Sequence, residues 1–228
     1  MKLVLFDIDG TLLWSDGAGR RSMTAALTEA IGTAGPPDYR YDGKTDPQIV
    51  RDLMAIAGVA PDEIPARIPP LLERYLTLLG EELRERKLAL FAGVAKLIDA
   101  VDAADDMALG LLTGNVRRGA EIKLRAAGLD FDRFRVGAFG SDHADRPELP
   151  AIAQRRAREA LGLELPGDRV IVIGDTPADI ACGRGIGARA IAVATGHYGV
   201  EELARHAPAA VFPTLEDTAG IMTVIRNG

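Results

Sequence analysis

Leu3-Val4-Leu5-Phe6-Asp7-Ile8-Asp9-Gly10-Thr11 decides how this chain is read: an apolar run of strand length breaks into two aspartates, two residues apart, followed by glycine and threonine. A solitary buried carboxylate is costly and two so close repel each other, so a site that keeps both needs a cation. Asp-Gly is also a common turn dipeptide, and on this segment alone a plain turn stays open as the alternative. A second acidic pair, Gly174-Asp175-Thr176-Pro177-Ala178-Asp179, follows the apolar run 170–173 in the same manner. Between the two stands Leu111-Leu112-Thr113-Gly114-Asn115, a strand-like run ending in a hydroxyl and a glycine, where Thr113 and the following N–H groups are placed to hold an anion's oxygens.

Runs at 3–6, 108–112, 170–173 and 190–194 alternate with helical stretches, the rhythm of a parallel α/β sheet covered on both faces. Ligands of such sheets bind beyond the carboxyl ends of the strands, where all three motifs fall. About 100 residues separate the first two runs, too many for one crossover, and 15–87 reads as an inserted helical domain. Met23, Ala26, Leu27, Ala30 and Ile31 form one apolar stripe, closed by Gly32. A second helix is expected with Asp46 at its N-cap, Pro47 at its first position, Ile49, Leu53 and Ile56 on one face and Gly58 past its end. A third carries Ile68, Leu72, Tyr75, Leu79 and Leu83, all read as packing residues, while the proline-rich pieces 36–37 and 65–70 read as turns.

Composition narrows the function. With 27 basic against 33 acidic residues, the chain has no basic excess with which to neutralise a nucleic-acid backbone. Its apolar runs are far shorter than the roughly 20 residues a membrane span needs. Met1-Lys2 leads straight into a strand-like run without a secretory pattern, and Cys182 is the only cysteine, so a soluble protein of the reducing cytoplasm is expected. Clustered oxygen donors without nearby histidine or cysteine favour Mg²⁺. Nothing in the sequence specifies an oligomeric state.

FDIDGT at 6–11, LLTGN at 111–115 and GDTPAD at 174–179, in that order, resemble the haloacid dehalogenase superfamily, and the helical insert resembles the cap of its phosphoglycolate-phosphatase-like branch. The resemblance implies a doubly wound, Rossmann-like core at 1–14 and 88–228 with a helical cap at 15–87. It implies that Asp7 attacks phosphorus and carries an aspartyl-phosphate, while Asp9 protonates the leaving oxygen and then activates water. It places Mg²⁺ on Asp7, the Asp9 carbonyl and Asp175, with Asp179 behind them, and the phosphoryl oxygens on Thr113, Gly114 and Asn115. Gly10 lets the chain turn away from the reacting centre. An acid at position 9 favours phosphate-ester chemistry, shared by phosphatases and sugar phosphomutases; a catalytically silent binding protein would be expected to have lost some of these residues. The expected substrate is a small phosphorylated metabolite.

One departure stands out. The family usually has a lysine, often followed by proline, between the threonine motif and the last acidic motif, and no Lys-Pro pair stands there; Arg146, followed by Pro147, and Lys123, on the helix after Thr113, are the two candidates. Lys44, in Asp42-Gly43-Lys44-Thr45-Asp46, sits where related caps probe the substrate. Trp14, His197 and Tyr198 are further candidates for the cleft, each with a surface role as the alternative, and Cys182 is read as packing its helix on the sheet.

Overall fold

A computed structural model describes residues 1–162 and 164–227. Six strands, β1 (Lys2–Phe6), β2 (Met107–Thr113), β3 (Val136–Phe139), β4 (Val170–Gly174), β5 (Arg189–Val193) and β6 (Ala210–Phe212), form one parallel sheet in the order β3-β2-β1-β4-β5-β6. The helices are α1 (Ala18–Ile31), α2 (Asp46–Ile56), α3 (Ile64–Leu83), α4 (Val94–Asp102), α5 (Arg117–Ala126), α6 (Leu149–Leu161), α7 (Pro177–Cys182), α8 (Val200–Ala204) and α9 (Thr218–Asn227). Among the described residues no helix is long and apolar enough to cross a membrane.

The two-residue period of the strands explains why both sheet faces are covered. Val4, Phe6, Ile171 and Ile173 pack with Leu97 and Ile98 of α4 and Ile221 and Ile225 of α9. Leu3, Leu5, Val170 and Val172 point the other way, into a cluster with Leu149, Ala153 and Ala157 of α6 and with Cys182. The strand order reverses beside β1, which lies between β2 and β4, and the ends of these three strands therefore share one crevice. Two strands had no sequence signal: β3 contains Gly137, and β6 is only three residues long.

Helices α1, α2 and α3 occupy most of the stretch between β1 and β2 and contribute no strand to the sheet. The chain leaves and returns through one narrow neck, where Leu13 bridges Leu90 and Phe91 N–H donates to the Leu12 carbonyl at 3.0 Å. Helix α1 ends at Gly32 in the left-handed conformation, as its sequence implies.

Three details of this segment differ from the sequence expectation. The cap of α2 is Thr45, whose hydroxyl accepts the Gln48 N–H at 3.2 Å, which frees Asp46 to reach across to the core. Ile56 is 53% exposed, because the buried face of α2 runs through Ile49, Val50, Leu53 and Met54 instead. The prolines at 65–70 lie within α3 rather than in a turn; their fixed φ suits a helix, and all three are exposed, so carbonyls left without a donor meet water.

Gly110 of β2 sits between β1 and β3, where a Cβ would stand 2.7 Å from the Val136 carbonyl oxygen and 2.8 Å from a Leu5 methyl. Gly110→Ala should therefore destabilise the fold by about 1–3 kcal/mol through overpacking. Urea unfolding should give a lower midpoint at an unchanged m value; an unshifted midpoint would show that the sheet absorbs the methyl group.

Candidate active site

The carboxyl ends of β1, β2 and β4 bring Asp7, Thr113 and Asp175 to one edge of the sheet, as the alternating runs imply. All three are buried. The Asp7 N–H donates to the Ile173 carbonyl at 2.9 Å, continuing the ladder one residue past the strand and fixing where its side chain emerges. Gly10 turns the chain at φ 80°, and a Cβ there would collide with the Asp175 carboxylate. Asp175 accepts the Thr11 hydroxyl at 3.0 Å. Asp179 closes a capping box at the start of α7, accepting the Thr176 N–H at 3.0 Å and its hydroxyl at 2.6 Å.

Two separate cation networks hold these acids. Arg146, in a single turn of 3-10 helix (Arg146–Glu148), is 5% exposed and contacts both Asp179 and Asp7, the latter at 3.1 Å. Lys123, on α5 and 4% exposed, donates to Asp9 Oδ2 at 2.6 Å and to Asn115 Oδ1 at 2.7 Å. Asn115 in turn donates to Asp9 at 2.8 Å and to the Thr113 hydroxyl at 2.8 Å, and Ser15 donates to Asp9 at 3.3 Å. The two candidates for the missing lysine are thus both present, each on a different aspartate of the first motif.

Asp7, Asp175 and Asp179 each offer a carboxylate oxygen within 4.8 Å of the others. Three such groups against one guanidinium leave an excess of negative charge in a pocket of oxygen donors, which fits a hard divalent cation. The Asp9 side chain stands apart from this cluster, on Lys123. Burial drives the Asp7 carboxyl up to about 7, with Arg146 opposing and Asp179 and Asp9 adding to the rise. Asp175 is also raised, first by burial and then by Asp179 and Asp7. Desolvation pulls Asp9 the same way, but the charge of Lys123 and the hydrogen bonds from Lys123, Asn115 and Ser15 outweigh it and hold Asp9 below the usual carboxylate range.

A cavity of about 410 Å³ opens over these groups, roofed by the helical segment. Asp46, at the start of α2, ties roof to floor: its N–H donates to the Gly114 carbonyl at 2.8 Å, and its Oδ2 accepts the Val116 N–H at 2.9 Å. Gly114 is required by this approach, since a Cβ would collide with the Lys44 carbonyl. Lys44 lines the cavity, but its ammonium is spent on the Tyr39 hydroxyl at 2.8 Å and on Asp52 at 3.2 Å. Trp14 and His197 line it as well and meet edge to face with ring centroids 5.2 Å apart. Tyr198 instead sits against Arg40, which donates to its hydroxyl at 3.1 Å. Arg20, Tyr41 and Tyr75 also line the cavity, although no sequence pattern points to them. Tyr75 has the i, i+4 spacing of a packing residue, and that pattern cannot report where its hydroxyl ends.

A site of paired acids and buried cations at the switch point of a doubly wound sheet, beneath a helical roof, defines a class of α/β hydrolase. The chain belongs to the haloacid dehalogenase-like hydrolase family, whose model matches residues 4–184. It is 29% identical over 215 residues to the N-acetylmuramic acid 6-phosphate phosphatase of Pseudomonas aeruginosa, covering 90% of this chain and 87% of that protein. Among solved structures it resembles a hydrolase from Pseudomonas syringae, with a TM-score of 0.75 at 22% identity over 98% of both chains. CbbY from Rhodobacter sphaeroides, solved with phosphate, has a TM-score of 0.72 at 21% identity over 95% of this chain and 96% of that one.

Burial raises the Asp46 carboxyl from 3.8 to about 6, against the pull of Lys123 and the Val116 N–H. The native state therefore holds this proton more tightly than the unfolded chain; the contribution is full below about pH 4 and is lost as pH rises through about 6. Asp46→Asn keeps an acceptor for Val116 and removes the titration. Relative to the wild type it should gain on the order of 3 kcal/mol between pH 4 and pH 7. Urea unfolding across that range checks this, and a stability difference flat in pH would reject it.

Proposed function

We propose that the chain is a Mg²⁺-dependent phosphatase that hydrolyses a small phosphomonoester through an aspartyl-phosphate on Asp7. The observation that carries this reading is Arg146 spanning Asp7 and Asp179 beside Asp175: a buried carboxylate held in one place, facing a cavity, within a cluster suited to a divalent cation. Family membership and the phosphatase relative support it. Asp7, Asp175 and the Asp9 carbonyl are the ligands assigned to Mg²⁺, with Asp179 supporting them. Bound there, the ion neutralises the clustered acids and the charge on the transferring phosphoryl group.

Asp7 attacks phosphorus in line and the ester oxygen leaves with a proton from Asp9. A water deprotonated by Asp9 then attacks the aspartyl-phosphate, freeing phosphate and restoring Asp7. Lys123 keeps Asp9 ionised in the free protein; an arriving phosphoryl dianion raises its proton affinity, so Asp9 takes up a proton from solvent and passes that proton to the leaving ester oxygen. The Thr113 hydroxyl and the Gly114 and Asn115 backbone hold phosphoryl oxygens, with Arg146 as the fixed cation beside Asp7. Residues 15–87 act as a cap that opens about the neck at Leu13 and Leu90, with Lys44 bracing its loop through Tyr39 and Asp52.

Asp7→Asn should abolish p-nitrophenyl phosphate hydrolysis while circular dichroism stays unchanged, and EDTA should remove wild-type activity that Mg²⁺ restores. Near wild-type turnover in the mutant, or full activity after exhaustive chelation, defeats the mechanism or the metal assignment respectively. Interconversion of glucose 1-phosphate and glucose 6-phosphate in place of phosphate release would make the enzyme a mutase.

Arg146→Ala and Lys123→Ala should each lower kcat/KM by on the order of 10²-fold or more, since each removes the cation from a different carboxylate. A mild effect at either position removes that residue from the chemistry.

A further inference from the structure

Of the four lysines and arginines that line the cavity, Lys44, Lys123 and Arg146 each sit on a carboxylate. Arg20 does not. It donates to the Pro37 and Tyr39 carbonyls at 3.2 and 3.1 Å and lies over the Tyr41 ring at 4.6 Å, contacts that orient a guanidinium without cancelling its charge.

Arg20 belongs to the first turn of α1. The helix starts at Gly17 with no side-chain cap and no acid in that turn, and the N–H groups of Gly19 and Arg20 have no hydrogen-bond partner among the described residues. Such an end favours an anion. An independent feature meets it there. Tyr75 of α3 is 1% exposed and lines the cavity, yet its hydroxyl has no hydrogen-bond partner among the described residues. A Cβ at Gly19 would stand 3.7 Å from that hydroxyl and 3.2 Å from the Lys123 ammonium, so the unpartnered phenol reaches the first turn of α1, close to the cation that holds Asp9. The ring is buried while the hydroxyl keeps its contact with the cavity, where a ligand oxygen can serve as its hydrogen-bond partner.

We infer that the first turn of α1, the Arg20 guanidinium and the Tyr75 hydroxyl form a specificity subsite for a second anionic oxygen group, on the part of the substrate that leaves with the ester oxygen. The inference rests on the phosphatase reading for what occupies the other end of the cavity. It narrows the substrate class to phosphomonoesters whose leaving group carries a carboxylate or another phosphate. A cavity of about 410 Å³ leaves room for such a leaving group beyond the phosphoryl group.

The test compares pairs of esters that differ in that second group alone. For a carboxylate the pairs are 3-phosphoglycerate against glycerol 3-phosphate and 6-phosphogluconate against glucitol 6-phosphate; for a phosphate the pair is fructose 1,6-bisphosphate against fructose 6-phosphate. In at least one pair the wild type should favour the doubly anionic member by tenfold or more in kcat/KM, roughly the value of one charge-assisted hydrogen bond. Which pair responds identifies the group. Arg20→Gln should bring that ratio to within about threefold, carried mainly by KM, and Tyr75→Phe should lower it in the same direction. Calorimetric binding of the same pairs to Asp7→Asn reads the subsite without turnover. Should wild-type turnover of every ester fail while the binding ratio persists, the subsite stands and the phosphatase reading falls. No pair differing by more than about threefold in either assay, or a ratio unchanged in both Arg20→Gln and Tyr75→Phe, overturns the inference.

Discussion

Concentrated negative charge at one edge of a parallel sheet is the constraint around which the rest of this protein is arranged. Asp7, Asp175 and Asp179 crowd within 4.8 Å of one another, with Asp9 two residues along the chain from Asp7. The sheet edge that forces them together also buries them, so each added carboxylate raises the proton affinity of the others. Arg146 and Lys123 answer this from opposite sides. Arg146 meets both of its carboxylates through one guanidinium nitrogen, Nη2, so a single buried charge is shared between Asp7 and Asp179.

The helical segment is shaped by the same demand. Its loop before α2 comes so close to the Thr113–Asn115 turn that position 114 has no room for a side chain, and Asp46 completes the junction with hydrogen bonds in both directions. Another carboxylate is thereby placed near Lys123, at the cost of a shifted titration. Cation supply and closure of the cavity are thus one problem in this molecule, since the residues that seal the roof also feel the charge of the floor.

Much of this was legible in the sequence because the strands announce themselves. A buried parallel strand reads as an unbroken apolar run, and the first polar residue after it must emerge at the sheet edge; that logic alone locates Asp7, Thr113 and Asp175. Arg146 and Lys123 were visible as candidates, but framed as rivals, because sequence spacing shows neither that the acids divide into two groups nor that each group takes its own cation. Strands β3 and β6 escaped notice because a glycine and a three-residue length erase the pattern. Ile56 and Asp46 were misplaced by one helical position for a related reason: periodicity gives the face of a helix, whereas the exact cap and the choice between neighbouring apolar positions depend on what the helix packs against. Tyr75 shows the limit most clearly, since its ring packs as expected while its hydroxyl faces a space that only the assembled fold creates.

The placement of β1 between β2 and β4 also bears on how the protein is made. The partners of Leu3 are Ala108 and Val170, so the strand leading to Asp7 waits for more than 100 residues before its first neighbour exists, and longer for its second. At a synthesis rate of about 5–20 residues per second that interval is on the order of 5–30 s. During it an apolar strand is available for improper pairing, while α1, α2 and α3, whose contacts are closer in sequence, can already condense. The long helical insertion, whatever it does for specificity, also sets the period for which β1 stays unpaired on the emerging chain.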